Sequence, residues 1–326
     1  MLRHDGKLEP MKDEQVMSVE FLQELTRLFL PEAAQAVFAT QKHVAVAYAL
    51  GSRARFRVHV SLQKGYPTFD LRYIPLQVPA AATLGIPKHL IELSAAREGL
   101  VLITGPRGSG RTTTVAALID HINHSASKHI VTLEGPVEYQ IANDRALIEQ
   151  RAIGEDVVSL SEALADLRQE DVDVVAIDVP LPPSAWPDLA KLAGAGTLVL
   201  VVVEADSAVR ALEYLTSPWP GVQPQVMQLL LAETLLGVTC QRLLPKLGGG
   251  RVLASELLLG TQPVKSLIHE GRVHQVQSTL ETSREEGMVV LERVMAALVR
   301  QGDVVREEAL AQAVHPEALE SLLKAK

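Results

Sequence analysis

The chain has a single cysteine, Cys240, in 326 residues. An internal disulfide is therefore excluded, and a reducing, cytoplasmic compartment is the expectation. Aromatic residues are scarce, with five Phe, five Tyr and two Trp, which leaves little to stack against exposed bases. A surplus of cationic charge is also missing: 31 Lys and Arg stand against 39 Asp and Glu, for a net charge of −8. Coating nucleic acid requires a clustered basic surface, so no nucleic-acid partner is expected. Long apolar runs are lacking too. Stretches such as Leu198 to Val203 fall far short of the roughly 20 residues of a membrane span. The start, Met1-Leu2-Arg3-His4-Asp5-Gly6-Lys7, has no apolar core of a secretory signal, so a soluble intracellular protein is expected. What the chain does have is 47% hydrophobic residues, enough for full cores and too many for disorder. Its length suggests two domains.

The hydropathy pattern changes along the chain. Asp5-Gly6 is a hairpin-turn signal. Residues 14–29 place Val16, Val19, Phe21, Leu22, Leu25 and Leu28 at helical spacing, and Pro31 opens a second short helix. From His43 the period becomes two, with strands expected at 44–50, 54–62 and 67–74 and turns at Gly51-Ser52 and Lys64-Gly65. This reads as a small α+β domain over residues 1–79, followed by a linker at 80–90. Beyond it, apolar strands at 99–104, 129–134, 172–179 and 197–204 alternate with helical patterns, as in a mostly parallel sheet covered on both faces. After residue 220 the chain reads as mainly helical. Leu229 to Leu236 is expected as a core or ring-interface helix, and Cys240 is expected in an apolar helical stretch. A short strand at 251–259 follows the Gly248-Gly249-Gly250 loop, and the end from 288 reads as a helical tail.

The strongest chemical signal is Gly105-Pro106-Arg107-Gly108-Ser109-Gly110-Arg111-Thr112, between the strand at 99–104 and a helix from Thr112 to Ile122. The pattern is that of a phosphate-binding loop, G-x-x-x-x-G-K-[ST], in its strand–loop–helix context. Glycines let the backbone curl so that successive N–H groups converge on phosphate oxygens at a helix N-terminus. Thr112 is placed to ligate Mg²⁺ through its hydroxyl, and Thr113 follows it. One element departs: the lysine is Arg111. Guanidinium is wider and planar where ammonium is compact, so it holds charge without reproducing the lysine's geometry at the γ-phosphate.

With these residues the sequence resembles the secretion ATPase superfamily, and within it the PilT-type twitching-motility ATPases. The likeness runs from Arg97-Glu98-Gly99 through the loop and Thr113-Thr114, and through Thr132-Leu133-Glu134-Gly135-Pro136-Val137-Glu138-Tyr139 at the family's aspartate box. It continues through Leu244-Pro245-Lys246, Gly248-Gly249-Gly250-Arg251, Glu256 and Glu270-Gly271-Arg272. The resemblance implies an α/β fold with a RecA-like P-loop NTPase core at 91–300 and a small N-terminal PAS-like α+β domain. Residues 301–326 then form a helical tail. It further implies ATP and Mg²⁺ as cofactors, a homo-hexameric ring or a ring shared with a PilT-type paralogue, and a pilus inner-membrane platform protein as partner. The location would be cytoplasmic and peripheral at the inner membrane, with membrane contact only peripheral.

Against that family the reactive positions differ. The aspartate box has Gly135 where the family carries Asp, but keeps Glu134 and Glu138. Asp171 to Pro180 stands at the Walker B stretch, and alternative alignments place either Val179 or Asp178 at its glutamate. Asp178 reads equally as a weak catalytic substitute and as a strand-terminal turn residue. Thr197 and Glu204 stand where the family's two histidines are. In the small domain Arg55, Arg57 and Arg72 match arginines that approach nucleotide, and alternation puts Arg53, Arg55 and Arg57 on one strand face; a solvated cationic face is the other reading. The expectation is a PilT-like nucleotide-binding protein of a type IV pilus or type II secretion machine with impaired hydrolysis, whose candidate catalytic groups are Glu134, Glu138 and Asp178. The alternatives are a slow but active hexameric retraction ATPase and a non-catalytic scaffold or regulatory subunit paired with an active paralogue.

Overall fold

The computed structural model describes residues 1–4, 7–11 and 17–325. The expected Asp5-Gly6 turn and the first residues of the expected helix at 14–29 lie outside the described residues. Strands β1 (Leu2–His4) and β2 (Lys7–Glu9) pair antiparallel. Helices α1 (Val19–Phe29) and α2 (Glu32–Gln41) follow, the first capped by the Ser18 hydroxyl, which accepts from the Phe21 N–H. They lie on an antiparallel sheet of β3 (His43–Leu50), β4 (Ala54–Gln63) and β5 (Tyr66–Ile74) in that order. Alternation along β4 turns Val58 and Val60 inward to Leu30 and Val46, where Phe29, Phe38 and Phe69 close a small core. The opposite face carries Arg55, Arg57 and His59, paired across to Ile74, Arg72 and Asp70 of β5. Arg53 lies in the β3–β4 turn, so it does not share the face expected of it.

After a 3₁₀ turn at Ala81–Thr83 and α3 (Lys88–Leu93), the chain builds a seven-stranded sheet. Its first members are β6 (Gly99–Thr104), followed by α4 (Arg111–Ser125), then β7 (His129–Glu134) and β8 (Leu147–Ala152). Helix α5 (Leu160–Leu167), β9 (Val174–Asp178), α6 (Trp186–Ala193) and β10 (Leu198–Val203) come next. Helices α7 (Ala208–Leu215) and α8 (Pro224–Thr234) lead to β11 (Leu235–Pro245) and β12 (Arg251–Leu259). The strand order is β12-β11-β6-β10-β9-β7-β8, parallel except for β12. Leu100, Leu102, Val199 and Val201 pack on one face, and Val101, Ile103, Leu198 and Leu200 on the other. Helices cover both faces, which is why these strands read as unbroken apolar runs.

Two expectations need correction. Residues 235–245 form β11, not helix, and Cys240 lies buried on that strand. The expected helix ends at Thr234, so Leu229 to Leu231 are helical and Leu235 and Leu236 are not. β11 runs between β6 and β12 with nearly every side chain buried, so it shows no period-two signal to set it apart from a buried helix. The tail is helical as expected: α9 (Gln262–His269), α10 (Val276–Thr282), α11 (Leu291–Arg300), α12 (Arg306–Gln312) and α13 (Pro316–Lys324). The last three close a separate core around Leu244, Leu291, Met295 and Leu319. Among the described residues, no helix is long and apolar enough to cross a membrane.

Candidate functional site

Strand register assembles the site. Val203 pairs with Thr104, and Glu134 pairs with Asp178, so the C-terminal ends of β6, β10, β9 and β7 form one lip. Ligands of open parallel sheets bind beyond this edge. The loop Gly105–Thr112 curls over it, with φ of 144°, 79° and 93° at Gly105, Gly108 and Gly110. Gly105 is also required by close approach, because a Cβ there would lie 2.4 Å from Ser109 Oγ and 2.6 Å from the Gln241 carbonyl. Gln241 of β11 donates to Thr114 at 2.9 Å and so supports the first turn of α4 from below.

These residues fit a nucleotide phosphate chain with its cation. Positive φ at three glycines lets the loop curl as a phosphate nest does, and Ser109 Oγ is buried without a hydrogen-bond partner. Pro106 and exposed Arg107 form the outer turn, closed by the Ser109 N–H to the Pro106 carbonyl at 3.2 Å. Thr112, in the first turn of α4, lines the cleft together with Asp178. Both residues that the sequence leaves open for the glutamate position, Asp178 and Val179, line the cleft with the loop threonine. Burial raises the Asp178 pKa, with the Thr112 hydroxyl opposing, Glu138 adding to the rise, and Arg111 and Arg57 lowering it. Thr112 and Asp178 could share a hard cation with phosphate oxygens. Among the described residues, no group of three or more His, Cys, Asp or Glu is arranged to hold a metal by itself.

Arg111 does not point into the curl. Its Nη1 donates to the Val203 carbonyl at 2.8 Å. Burial lowers its pKa, with Glu204 and Asp178 opposing. Thr113 meets the Tyr139 hydroxyl at 3.2 Å, tying α4 to the loop after β7.

Two of the three carboxylates expected to be catalytic are held by partners within the chain. Glu134 is buried and accepts from Thr132 Oγ1 at 2.7 Å, Gln150 Nε2 at 3.1 Å and the Glu138 N–H at 3.4 Å. Burial raises its pKa, and the Thr132 and Gln150 bonds oppose the rise. Beside it lies a small cavity of about 20 Å³, lined by Thr112, Thr132, Glu134 and Asp178 among others, room for one water. Glu138 is 4% exposed and receives Arg57 Nη1 at 2.8 Å and Arg72 Nη2. Arg55 donates Nε to the Glu138 carbonyl at 2.6 Å and Nη2 to the Val137 carbonyl at 2.9 Å. The arginine face of the meander is thus a clamp on the loop after β7. The apolar contact of Ile74 with Ala116 and Tyr139 backs it. Arg57 and Arg72 also line a cleft of about 770 Å³ with Arg107, Arg111, Thr112 and Asp178, whereas Arg55 is outside that lining.

The sequence reading missed His59 and Asp70 at this cleft, although their alternation with Arg57 and Arg72 places them on the same face. It also missed the supports Gln241, Gln150 and Thr132, which carry no local signal.

Residues 86–320 match the family model described as type II/IV secretion system protein. The chain is 33% identical over 264 residues to the type IV pilus retraction ATPase PilT of Pseudomonas aeruginosa, covering 81% of this chain and 77% of that one. It is 34% identical over 282 residues to the uncharacterised protein YggR of Escherichia coli, covering 86% of each. A crystal structure of the pilus retraction motor PilT with bound ADP superposes with a TM-score of 0.85 and 31% identity, over 98% of this chain and 91% of that chain. The Legionella pneumophila ATPase DotB, at a TM-score of 0.75 and 21% identity over 92% of this chain and 86% of that one, shares the fold. With its phosphate loop set on the lip of a largely parallel sheet, the chain belongs to the type II/IV secretion system protein family as a PilT-type member.

Proposed function

We propose that this chain is a nucleotide-binding subunit of a type IV pilus or type II secretion machine that binds ATP with Mg²⁺ and hydrolyses it poorly or not at all. Residues 1–79 act as a PAS-like domain joined by the 80–90 linker to the RecA-like core at 91–300, with 301–326 as its tail. The subunit works in a hexameric ring, with itself or with an intact paralogue, docked from the cytoplasm on the platform protein at the inner membrane. Bound Mg²⁺ would neutralise the β- and γ-phosphate oxygens. Thr112 and Asp178 would hold that cation, the loop N–H groups would hold the phosphates, and Arg57, Arg72 and Arg107 would supply charge from the cleft walls.

One observation carries the reading. The loop retains its glycine geometry and keeps Thr112 and Asp178 on one cleft, while the strand end next to Asp178 continues as Val179, Pro180 and Leu181. Binding needs the first set of groups; orienting an attacking water needs a carboxylate or its equivalent at the second. A slow active ring ATPase is the second reading, favoured by Asp178 and Glu204, which both line the cleft.

The test is binding of a fluorescent ATP analogue with and without Mg²⁺, together with steady-state phosphate release, using Thr112→Ala as control. Mg²⁺-dependent binding that Thr112→Ala abolishes, with phosphate release no higher than in the control, is the expected result. Turnover of about 1 s⁻¹ or more that the control lacks would establish the active-ring reading. No binding at all would leave the scaffold.

A further inference from the structure

Gly135 and Val179 are the first residues beyond the ends of β7 and β9, whose last residues, Glu134 and Asp178, are paired in register. They are therefore neighbours on the lip, and both line the cleft beside Thr112 and Arg111. A Cβ built on Gly135 would lie 3.2 Å from Val179 Cγ1. The glycine is not needed for a left-handed backbone, since its φ lies outside that region. What crowds a side chain at 135 is the valine, which would have to give by a few tenths of an ångström. An isopropyl group branched at Cβ has few ways to turn aside.

We infer that Gly135 and Val179 form a packed couple that blocks hydrolysis in this site. The inference rests on the nucleotide-binding reading above. Val179 puts two methyl groups next to the cation-side carboxylate Asp178, where a water-orienting carboxylate would have to stand. Gly135 leaves the room that the valine fills. Pro180 and Leu181 continue the apolar lip, and Arg111, held on the Val203 carbonyl, faces Glu204 from the neighbouring strand. Bound ATP thus meets no aligned water and is retained.

The couple makes position 179 permissive and position 135 conditional. Val179→Glu has a single Cγ, meets no side chain at Gly135 and opens onto the cleft that Val179 lines. The carboxylate can take the proton of a water whose oxygen bonds to the γ-phosphorus as the bond to the β–γ bridging oxygen breaks. The products are ADP and inorganic phosphate. Gly135→Ala alone presses on Val179, and Val179→Ala relieves the crowding.

The experiment has two arms on the full chain. In the first, phosphate release is measured per bound nucleotide for wild type and Val179→Glu, with binding of the fluorescent ATP analogue measured in parallel. A rise of at least about 100-fold is expected from a positioned base. Intact binding with no rise overturns the block, and wild-type turnover already at about 1 s⁻¹ overturns it as well. In the second arm, melting temperatures are compared for Gly135→Ala, Val179→Ala and the double variant. Gly135→Ala should lower the melting temperature by about 2–4 °C in wild type and leave it nearly unchanged in the Val179→Ala background; equal drops in both overturn the couple. Loss of binding in wild type is a failure of the proposed function, read in the binding measurement, and the couple is then judged by the melting temperatures.

Discussion

Arg111 Nη1 donates to the Val203 carbonyl at 2.8 Å, which joins the first residue of α4 to the last residue of β10. The residue in the lysine position of the phosphate loop therefore spends its charge on a strand end beside Glu204 and Asp178. A guanidinium is long and forked enough to make that bond in a fixed plane, whereas an ammonium is a compact charge with freely rotating donors.

Arg111→Lys is accordingly expected to bind ATP more tightly, by about tenfold, because the ammonium can sit under the phosphates. The lost bond to Val203 should cost about 1–2 kcal/mol of stability, as for other hydrogen bonds from charged donors. Nucleotide titration and urea unfolding of the two proteins check both halves. Weaker binding in the lysine variant would mean that Arg111 leaves Val203 when phosphate arrives.

Glu138 is the other shared anchor, gripped by Arg57 and Arg72, with Arg55 on the adjacent carbonyls. The carboxylate is buried, but the arginines are 37% and 53% exposed, so solvent screens the pair. Glu138→Ala should cost about 1–2 kcal/mol, less than the 3–5 of a fully buried pair. The loss should be local. Amide hydrogen exchange is expected to quicken in β4 and β5, and protease cleavage between residues 75 and 86 to speed up, with the seven-stranded core protected as before. Uniform loss of protection across β6 and β10 would show that the clamp supports the whole chain.

Sequence reading succeeded where the signal is local. Gly105, Gly108, Gly110 and Thr112 identify the loop because one backbone turn requires all of them in order. The meander was visible from alternation, since one of its faces is polar. β11 was misread because burial on both sides erases the period of two. β8 was passed over because Glu149 and Arg151, both charged, interrupt Ile148 and Ala152 on an edge strand. Arg55, Arg57 and Arg72 meet at one partner, but Glu138 lies 66 or more positions away and only the packed structure brings it to them. The contact of Gly135 with Val179 likewise exists only once β7 and β9 are set in register.

Glu256 gives the clearest pH dependence. It is 4% exposed on β12 and accepts the Ala208 N–H at 2.7 Å at the start of α7, with the Leu291 N–H of α11 also favouring its ionised form. Burial pushes its pKa up to about 7, with Glu292 adding and the two N–H groups and Arg242 opposing. The unfolded chain restores the ordinary value of 4.5. Between these values the folded chain binds the proton more tightly than the unfolded one, so this group's contribution to stability falls as pH rises through that window and is flat on either side. The full difference is about 3 kcal/mol. Glu256→Gln keeps one acceptor oxygen for the Ala208 N–H and has no charge to bury. Relative to wild type it should gain up to about 3 kcal/mol in unfolding free energy from pH 4.5 to pH 8. Urea unfolding of both proteins at pH 5, 6, 7 and 8 reads that difference directly, with the other titrating groups cancelling. A difference that stays constant with pH would show that Glu256 titrates alike in the folded and unfolded chain. The two helix ends would then hold the carboxylate ionised against the cost of burial.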